Sequence, residues 1–504
     1  MKINKWLVVA VLAVVLIGGV YGGLSYVENR VVAAVRDTIG KMDNASVGSV
    51  SFSLPDRKLV ITDVAVQLLQ DSLFAHSAKI KSVEAVLPWS MILSSEPKAG
   101  VFVIDTVNTQ GIEYTTRDGT ISIARDRARD VHIDLATLEQ FLFKKEAEAA
   151  DMLARYERNN LGRAESEGIV LSVLGEGVRL EIANSVVERM NGLRIGSLRS
   201  TGIAVFVAEP QAVPEKVLEV ASFSMGNVDL PVDALRLALE LQTPPSHEQL
   251  DAWMRSLFAG KEPLVGRFTV RDCKLAENIF PVSFRSFDMD WSSAAPLRYT
   301  ATLESLTVPA QAIGQMLGWQ LPNLHTVEVS MRTEEKEDDD AAGGISVHDV
   351  YSVKNMFDFD ARARFVVTDV GRPSAQSMPI WWKTGRMHDM ALAGLDMKLE
   401  DKNLMAYVLL NLEGPEATGD ILLGLLSLMP GANTEAYKNM MGSLAPFIKR
   451  PGTLSVSFAP QSPVPFPQFL EMLYDPWAIL TVNGTPGAVS VRDMIKKIQE
   501  PAGK

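Results

Sequence analysis

The chain carries a single cysteine, Cys273, among 504 residues. One thiol excludes an intramolecular disulfide and a cysteine-built zinc site, and sparing cysteine use suits an oxidising compartment. Its plain reading is a small, partly buried residue on a strand. Histidine is scarce as well: His76, His132, His247, His325, His348 and His388 are the whole set. No two lie at the three- or four-residue spacing that would aim both at one metal from a helix face. There is no long basic stretch, and the net charge of −12 repels phosphate backbones, which argues against a nucleic-acid partner. A Gly-x-Ser-x-Gly elbow, a phosphate-binding glycine loop and a His-Glu-x-x-His pair are all missing. His348-Asp349 and His388-Asp389 set acid beside base, but adjacency in sequence makes no triad. No catalytic, cofactor-binding or metal-ligating residue emerges, and no cofactor is implied.

Long apolar runs are also missing, with one exception. From Trp6 to Tyr26 the chain has no charged residue. About twenty such residues at 1.5 Å rise cover the roughly 30 Å hydrocarbon layer. Leu7, Val14, Leu16 and Ile17 supply apolar surface, and Trp6, Tyr21 and Tyr26 sit where aromatic rings meet headgroups. The competing reading is a cleaved signal peptide with Lys2 and Lys5 as its basic start. The length of the run and its poor cleavage pattern favour an uncleaved anchor. The basic N-terminus then stays cytoplasmic, and the bulk of a single-pass inner-membrane protein lies in the periplasm. Membrane lipid is the first expected partner, and other envelope proteins are the second.

Beyond residue 48 the pattern is period-two alternation. Val50, Phe52 and Leu54 face one way and Ser49, Ser51 and Ser53 the other. A turn at Pro55 to Lys58 leads into Leu59 to Val66, where alternation places Val60, Val64 and Val66 on one face as candidate groove residues. Further strands are expected through Val367, at Met397 to Leu412 and at Leu454 to Phe458. Helices are fewer: Leu135 to Asn160, Ser246 to Phe258, Pro309 to Leu317, Gly419 to Met429, Glu435 to Leu444 and Pro467 to Tyr474. The expected fold is mainly β with peripheral helices (α+β), an anchor followed by an elongated, curled antiparallel sheet.

The expected organisation is an anchor at 1–27, an amphipathic connecting helix at 28–48 and a β-rich periplasmic body at 49–330. An acidic flexible loop or linker follows at 331–344, where the run Glu334 to Asp340 offers nothing apolar to bury, then a C-terminal β/α region at 345–504. Adjacent Trp381 and Trp382 face opposite ways on an extended strand. One reads as core, and the pair is a candidate membrane or lipid contact.

The lysine-flanked anchor, the short amphipathic helix and the couplet Ser49 to Leu54 with Lys58 to Val66 resemble the AsmA-like and YdgA-like membrane-anchored bacterial envelope proteins. The resemblance is best over about the first seventy residues. It implies a sheet curled into an apolar groove and a role in envelope maintenance through phospholipid binding or transfer, and it transfers no functional residue. The acidic break and the helical C-terminal third depart from the family pattern and would end the groove near residue 330. Alternation alone leaves two other readings open. One is a membrane-tethered structural or interaction module with closed β cores and no ligand, and the other is a hydrolase with dispersed catalytic residues.

Overall fold

The structure is a computed structural model that describes residues 28–29, 32–33, 35–36, 45–67, 77–93, 101–115, 119–134, 159–173, 177–208, 214–229, 265–276, 281–292, 298–337, 344–367, 390–428, 434–473, 476 and 479–500. The expected anchor with Trp6, Leu7, Val14, Leu16, Ile17, Tyr21 and Tyr26 lies outside these residues, as do Trp381, Trp382, His388 and the helix expected at Ser246 to Phe258. No helix among the described residues is long and apolar enough to cross a membrane. The fold is mainly β and antiparallel throughout, and the chain divides into two compact units within one strand, near residues 260–271.

The first unit is a meander of long strands: β1 (Ala45–Ser46), β2 (Ser49–Ser53), β3 (Lys58–Gln67), β4 (Ser77–Val86), β5 (Val101–Thr115), β6 (Gly119–Asp134), β7 (Asn160–Val173), β8 (Val178–Asn191), β9 (Arg194–Val207), β10 (Glu215–Asp229) and the start of β11 (Val265–Leu275). From β2 to β10 each strand pairs antiparallel with the next. The short helix α1 (Trp89–Leu93) follows β4. Part of the expected connecting segment is helical and packs its fully buried Val35 against the sheet, while Glu28 accepts a hydrogen bond from the Leu54 amide at 2.8 Å. That segment does not stay helical to residue 48, because Ala45–Ser46 pairs with β3.

The second unit continues from β11 with β12 (Ser283–Ser292), β13 (Arg298–Pro309), β14 (Thr326–Glu337), β15 (Gly344–Val353), β16 (Phe357–Val367), β17 (Met390–Asp401), β18 (Thr453–Phe458), β19 (Val464–Pro465) and β20 (Thr481–Thr485). Its helices are α2 (Ala310–Leu317), α3 (Leu404–Glu413), α4 (Asp420–Leu426), α5 (Glu435–Lys449), α6 (Phe466–Met472) and α7 (Val491–Gln499). Thr434 caps α5 by accepting from the Tyr437 amide, and Ser490 caps α7 by accepting from the Asp493 amide. Leu409, Phe447, Ile448 and Ile495 from α3, α5 and α7 form one buried cluster with Val353 of β15, and Phe357 and Leu399 pack against it.

Two expectations about this unit are corrected. Met331 to Glu337, assigned to a solvated linker, is the second half of β14 and is paired on both sides, to β13 and to β15. One of its charges is matched across strands, Arg298 meeting Glu334 at 2.8 Å, and Glu335 is buried opposite Tyr299 and Val347. Second, Met397 to Leu412 is not one strand. The chain leaves the sheet at Asp401 and turns into α3, whose first amides bond to Asp401 and to the Met356 carbonyl.

Candidate functional site

The inward face of the first unit is set by a repeated backbone feature. Residues with positive φ recur within the strands: Asp63 on β3, Gly111 on β5, Asp130 on β6, Gly168 on β7, Arg189 on β8, Gly202 on β9 and Asn227 on β10. Each interrupts the ladder by one pair. Between β6 and β7, for example, Ile123 meets Ile169 and Arg125 meets Glu167, leaving Ala124 and Gly168 opposed without a ladder pair. A left-handed residue in a strand shifts the side-chain alternation by one and bends the strand.

The interruptions line up in two rows across the sheet. One row contains Lys81, Gly111, Ala124, Gly168, Ala183 and Gly202, and the other contains Asp130, Gly162, Arg189, Gly196 and Asn227. On β7, β8 and β9 the two rows are six residues apart. A methyl group on Gly168 would lie 2.9 Å from the Ala124 Cβ, one on Gly202 would lie 2.7 Å from the Ala183 Cβ, and one on Gly162 would lie 2.9 Å from the Asp130 Cβ. At these three places two Cβ atoms do not fit, and one side of each is glycine. Creases repeated at fixed positions are how a sheet acquires curvature.

Because of the creases, inward residues follow a two-three-two spacing. On β5 they are Ile104, Val107, Thr109, Ile112 and Tyr114, all buried. Cross-strand register then assembles rows. One is aliphatic over eight strands: Val64, Ile80, Ile112, Ile123, Ile169, Ile182, Ile203 and Val220. Between the two creases a different row runs through Thr109, Asp126, Ser166, Ser185 and Ser200, ending against Val83 on one side and Phe223 on the other. This polar seam lies on an otherwise apolar face. Asp126 is only 4% exposed, and its carboxylate accepts a 2.5 Å hydrogen bond from Ser166 Oγ. Ser200 Oγ donates to Ser185 Oγ at 3.1 Å. Tyr114, in the row beyond the aliphatic one, is 2% exposed and its hydroxyl has no hydrogen-bond partner. Burial pushes that hydroxyl well above the ordinary tyrosine range, and the Asp126 carboxylate adds to the effect.

The candidate groove residues divide. Val64 and Val66 are buried on the inward face, opposite Ile80 and Ala78. Val60 is not with them. The left-handed Asp63 lies between, so Val60 shares the other face with its partners Ser51 and Glu84, while Leu59 and Ile61 point inward. Strict alternation across Asp63 was the error. The seam residues and Tyr114 escaped sequence reading altogether. Their signals were the two-three-two spacing of apolar residues and the glycines recurring at 162 and 168 and again at 196 and 202.

Elsewhere, Cys273 is buried on β11, and burial raises its thiol pKa. His348 Nε2 lies 3.2 Å from Asp360 Oδ2 across β15 and β16, so its acidic partner is not the adjacent Asp349. No cluster of three His, Cys, Asp or Glu able to hold a metal occurs among the described residues. A cavity of about 380 Å³ in the second unit is lined by Arg285, Glu304, Ser330 and Arg332 among others, a mixed-charge surface on the sheet.

A family model described as an uncharacterized protein matches residues 344–485. The matched stretch lies within the second unit, from β15 to β20. No curated protein matches the chain.

Proposed function

We propose that this chain is an inner-membrane-anchored envelope protein whose first sheet holds the acyl chains of phospholipid on its inward face, for binding or transfer. One observation carries the reading. The aliphatic row is buried on β3 to β6, yet Ile169, Ile182 and Ile203 on β7 to β9 remain only half-buried. A face of isoleucines left partly open along a creased sheet suits a long apolar ligand better than a sealed core. The apolar, charge-free Trp6 to Tyr26 segment supplies the membrane in this reading.

The test is extraction of the full-length protein, purified from membranes in mild detergent, followed by mass spectrometry of organic-soluble material. Stoichiometric phospholipid or another acyl lipid is the expected result. Protein free of lipid after gentle purification would abandon the groove. N-terminal sequencing of the same sample is expected to begin at Met1, and a start near residue 24 would make the segment a signal peptide.

A second reading, the tethered interaction module, is favoured by one feature. Ile421 and Leu425 on α4 and Leu428 just beyond it are exposed at helical spacing, an apolar stripe suited to a protein partner.

A further inference from the structure

We propose that Trp89, held by Arg57 at the β2–β3 turn end of the first sheet, is a second membrane contact, its indole lying in the headgroup layer of the bilayer that the N-terminal segment spans. The proposal rests on the anchored reading. It adds which end of the first unit meets the lipid surface and through which side chain.

A single exposed aromatic is ordinary on a protein surface, so the place of this one decides its meaning. The charge-free run ends at Tyr26, two residues before Glu28. Two residues span at most about 7 Å, so in the anchored protein Glu28 stands where the chain leaves the headgroups. Glu28 is tied to the body. Its carboxylate accepts from the Leu54 amide at 2.8 Å, and Val32 and Val35 pack against the core of the first unit. The end of the sheet that carries Leu54 is therefore pinned beside the exit point.

Trp89 belongs to that end. The Arg57 amide donates to the Leu54 carbonyl at 3.1 Å, closing the β2–β3 turn. The Leu87 amide donates to the Arg57 carbonyl at 3.0 Å, and Arg57 Nη1 donates back to the Leu87 carbonyl at 3.0 Å. The Arg57 guanidinium then lies 5.9 Å from the centre of the Trp89 ring. Ile92, 3% exposed, ties α1 to the core, while Trp89 is 48% exposed. Among the described residues of the first unit, the other exposed large apolar side chain is Val207. It lies at the opposite end of the strands, paired with Val178 and Glu215.

An indole suits the headgroup layer because it joins an apolar body to one N–H donor. Charge does not supply the attraction. Arg57 meets Asp105 and Lys58 meets Glu84, each at 2.8 Å, so both cations beside Trp89 are matched. The contact is then with phospholipid headgroups in general rather than with anionic lipid.

The experiment uses the full chain in a Cys273→Ala background, reconstituted into phosphatidylcholine vesicles with and without a nickel-chelating lipid, whose metal marks the headgroup plane. A nitroxide is attached through Ser90→Cys, exposed beside Trp89, or through Lys79→Cys, exposed on β4 and roughly 23 Å of strand before Val86. Nickel should speed relaxation of the label at position 90 at least threefold and leave position 79 unchanged. Trp89→Ser should reduce the effect at position 90 by more than half while the chain still floats with the vesicles. Phosphatidylglycerol in place of phosphatidylcholine should change the effect less than twofold. A chain that floats with no nickel effect at position 90, or with equal effects at both positions, would overturn the Trp89 contact and leave the anchor intact. The native chain gives that contrast even where Trp89→Ser does not fold. An effect unmoved in folded Trp89→Ser, or seen on phosphatidylglycerol alone, would also overturn it. A chain that does not float would overturn both the contact and the anchor.

Discussion

Gly168 on β7 stands opposite Ala124 on β6, and a methyl group on Gly168 would fall 2.9 Å from the Ala124 Cβ. The glycine has φ +62°, so two constraints act at one position. Gly168→Ala should cost about 1–2 kcal/mol for the left-handed backbone and more for the contact. Gly162→Ala tests the steric part alone, since its own φ is not in the left-handed region and the Asp130 side chain stands in the way, its Oδ2 at 2.8 Å and its Cβ at 2.9 Å. Arg189→Gly relieves the strain on the other partner type, so Gly196→Ala should be milder in an Arg189→Gly background. Denaturant unfolding of the four-member cycle measures this, and additivity of the two substitutions would contradict a shared steric cause.

The two valines on either side of Asp63 should behave oppositely. Val64→Lys places a charge at a position 6% exposed within the apolar cluster, and should cost about 3–5 kcal/mol. Val60→Lys lies on the other face, opposite Ser51 and Glu84, and should stay within about 0.5 kcal/mol of the native protein. Thermal unfolding of both variants decides it. Equal losses would mean that the alternation does not shift at Asp63.

Asp401 carries a pH dependence of definite sign. Burial raises its pKa from 3.8 to about 6, although the Met405 amide at 2.9 Å pulls the other way. In the unfolded chain the carboxyl loses its proton first, so stability is highest while Asp401 is protonated and falls as pH rises from about 4 to 6. Asp401→Asn keeps an acceptor for Met405 and removes the charge. The variant should be more stable than the native chain by on the order of 1–3 kcal/mol at pH 7, and the difference should vanish near pH 4. Paired denaturant titrations at the two pH values check the sign, which a native advantage at pH 7 would reverse.

Amide hydrogen exchange distinguishes strand from linker at the acidic run. Arg332 to Lys336 are in register with β13 on one side and β15 on the other. Their amides should exchange at least a hundredfold more slowly than those of an unstructured peptide of the same sequence. Free exchange across all five would return this stretch to solvent.

How much was legible differs from element to element. Alternation placed β2, β3 and β18 correctly in outline, and α2, α4, α5 and α6 were placed within a few residues. These features are local: a serine or threonine cap and a run of alternating valines need no distant partner to be read. The helix α7 was missed although Ser490 and Asp493 announce its start, because its short amphipathic stretch sits near the chain end after a glycine- and proline-bearing turn.

The sequence by itself determined a mainly β chain with one apolar segment, one-sided strands and no recognisable catalytic cluster, since side-chain period and residue chemistry are properties of the chain alone. Tertiary structure decided the rest. Glu334 to Glu337 is strand because neighbouring backbones on both sides supply hydrogen bonds and Arg298 supplies a countercharge, which no local count of charges anticipates. Val60 parts from Val64 because Asp63 adopts a left-handed conformation, with Gly48 leaving room opposite it. Thr109, Asp126, Ser166, Ser185 and Ser200 become one seam only through the register of five strands, where each pairing fixes the next.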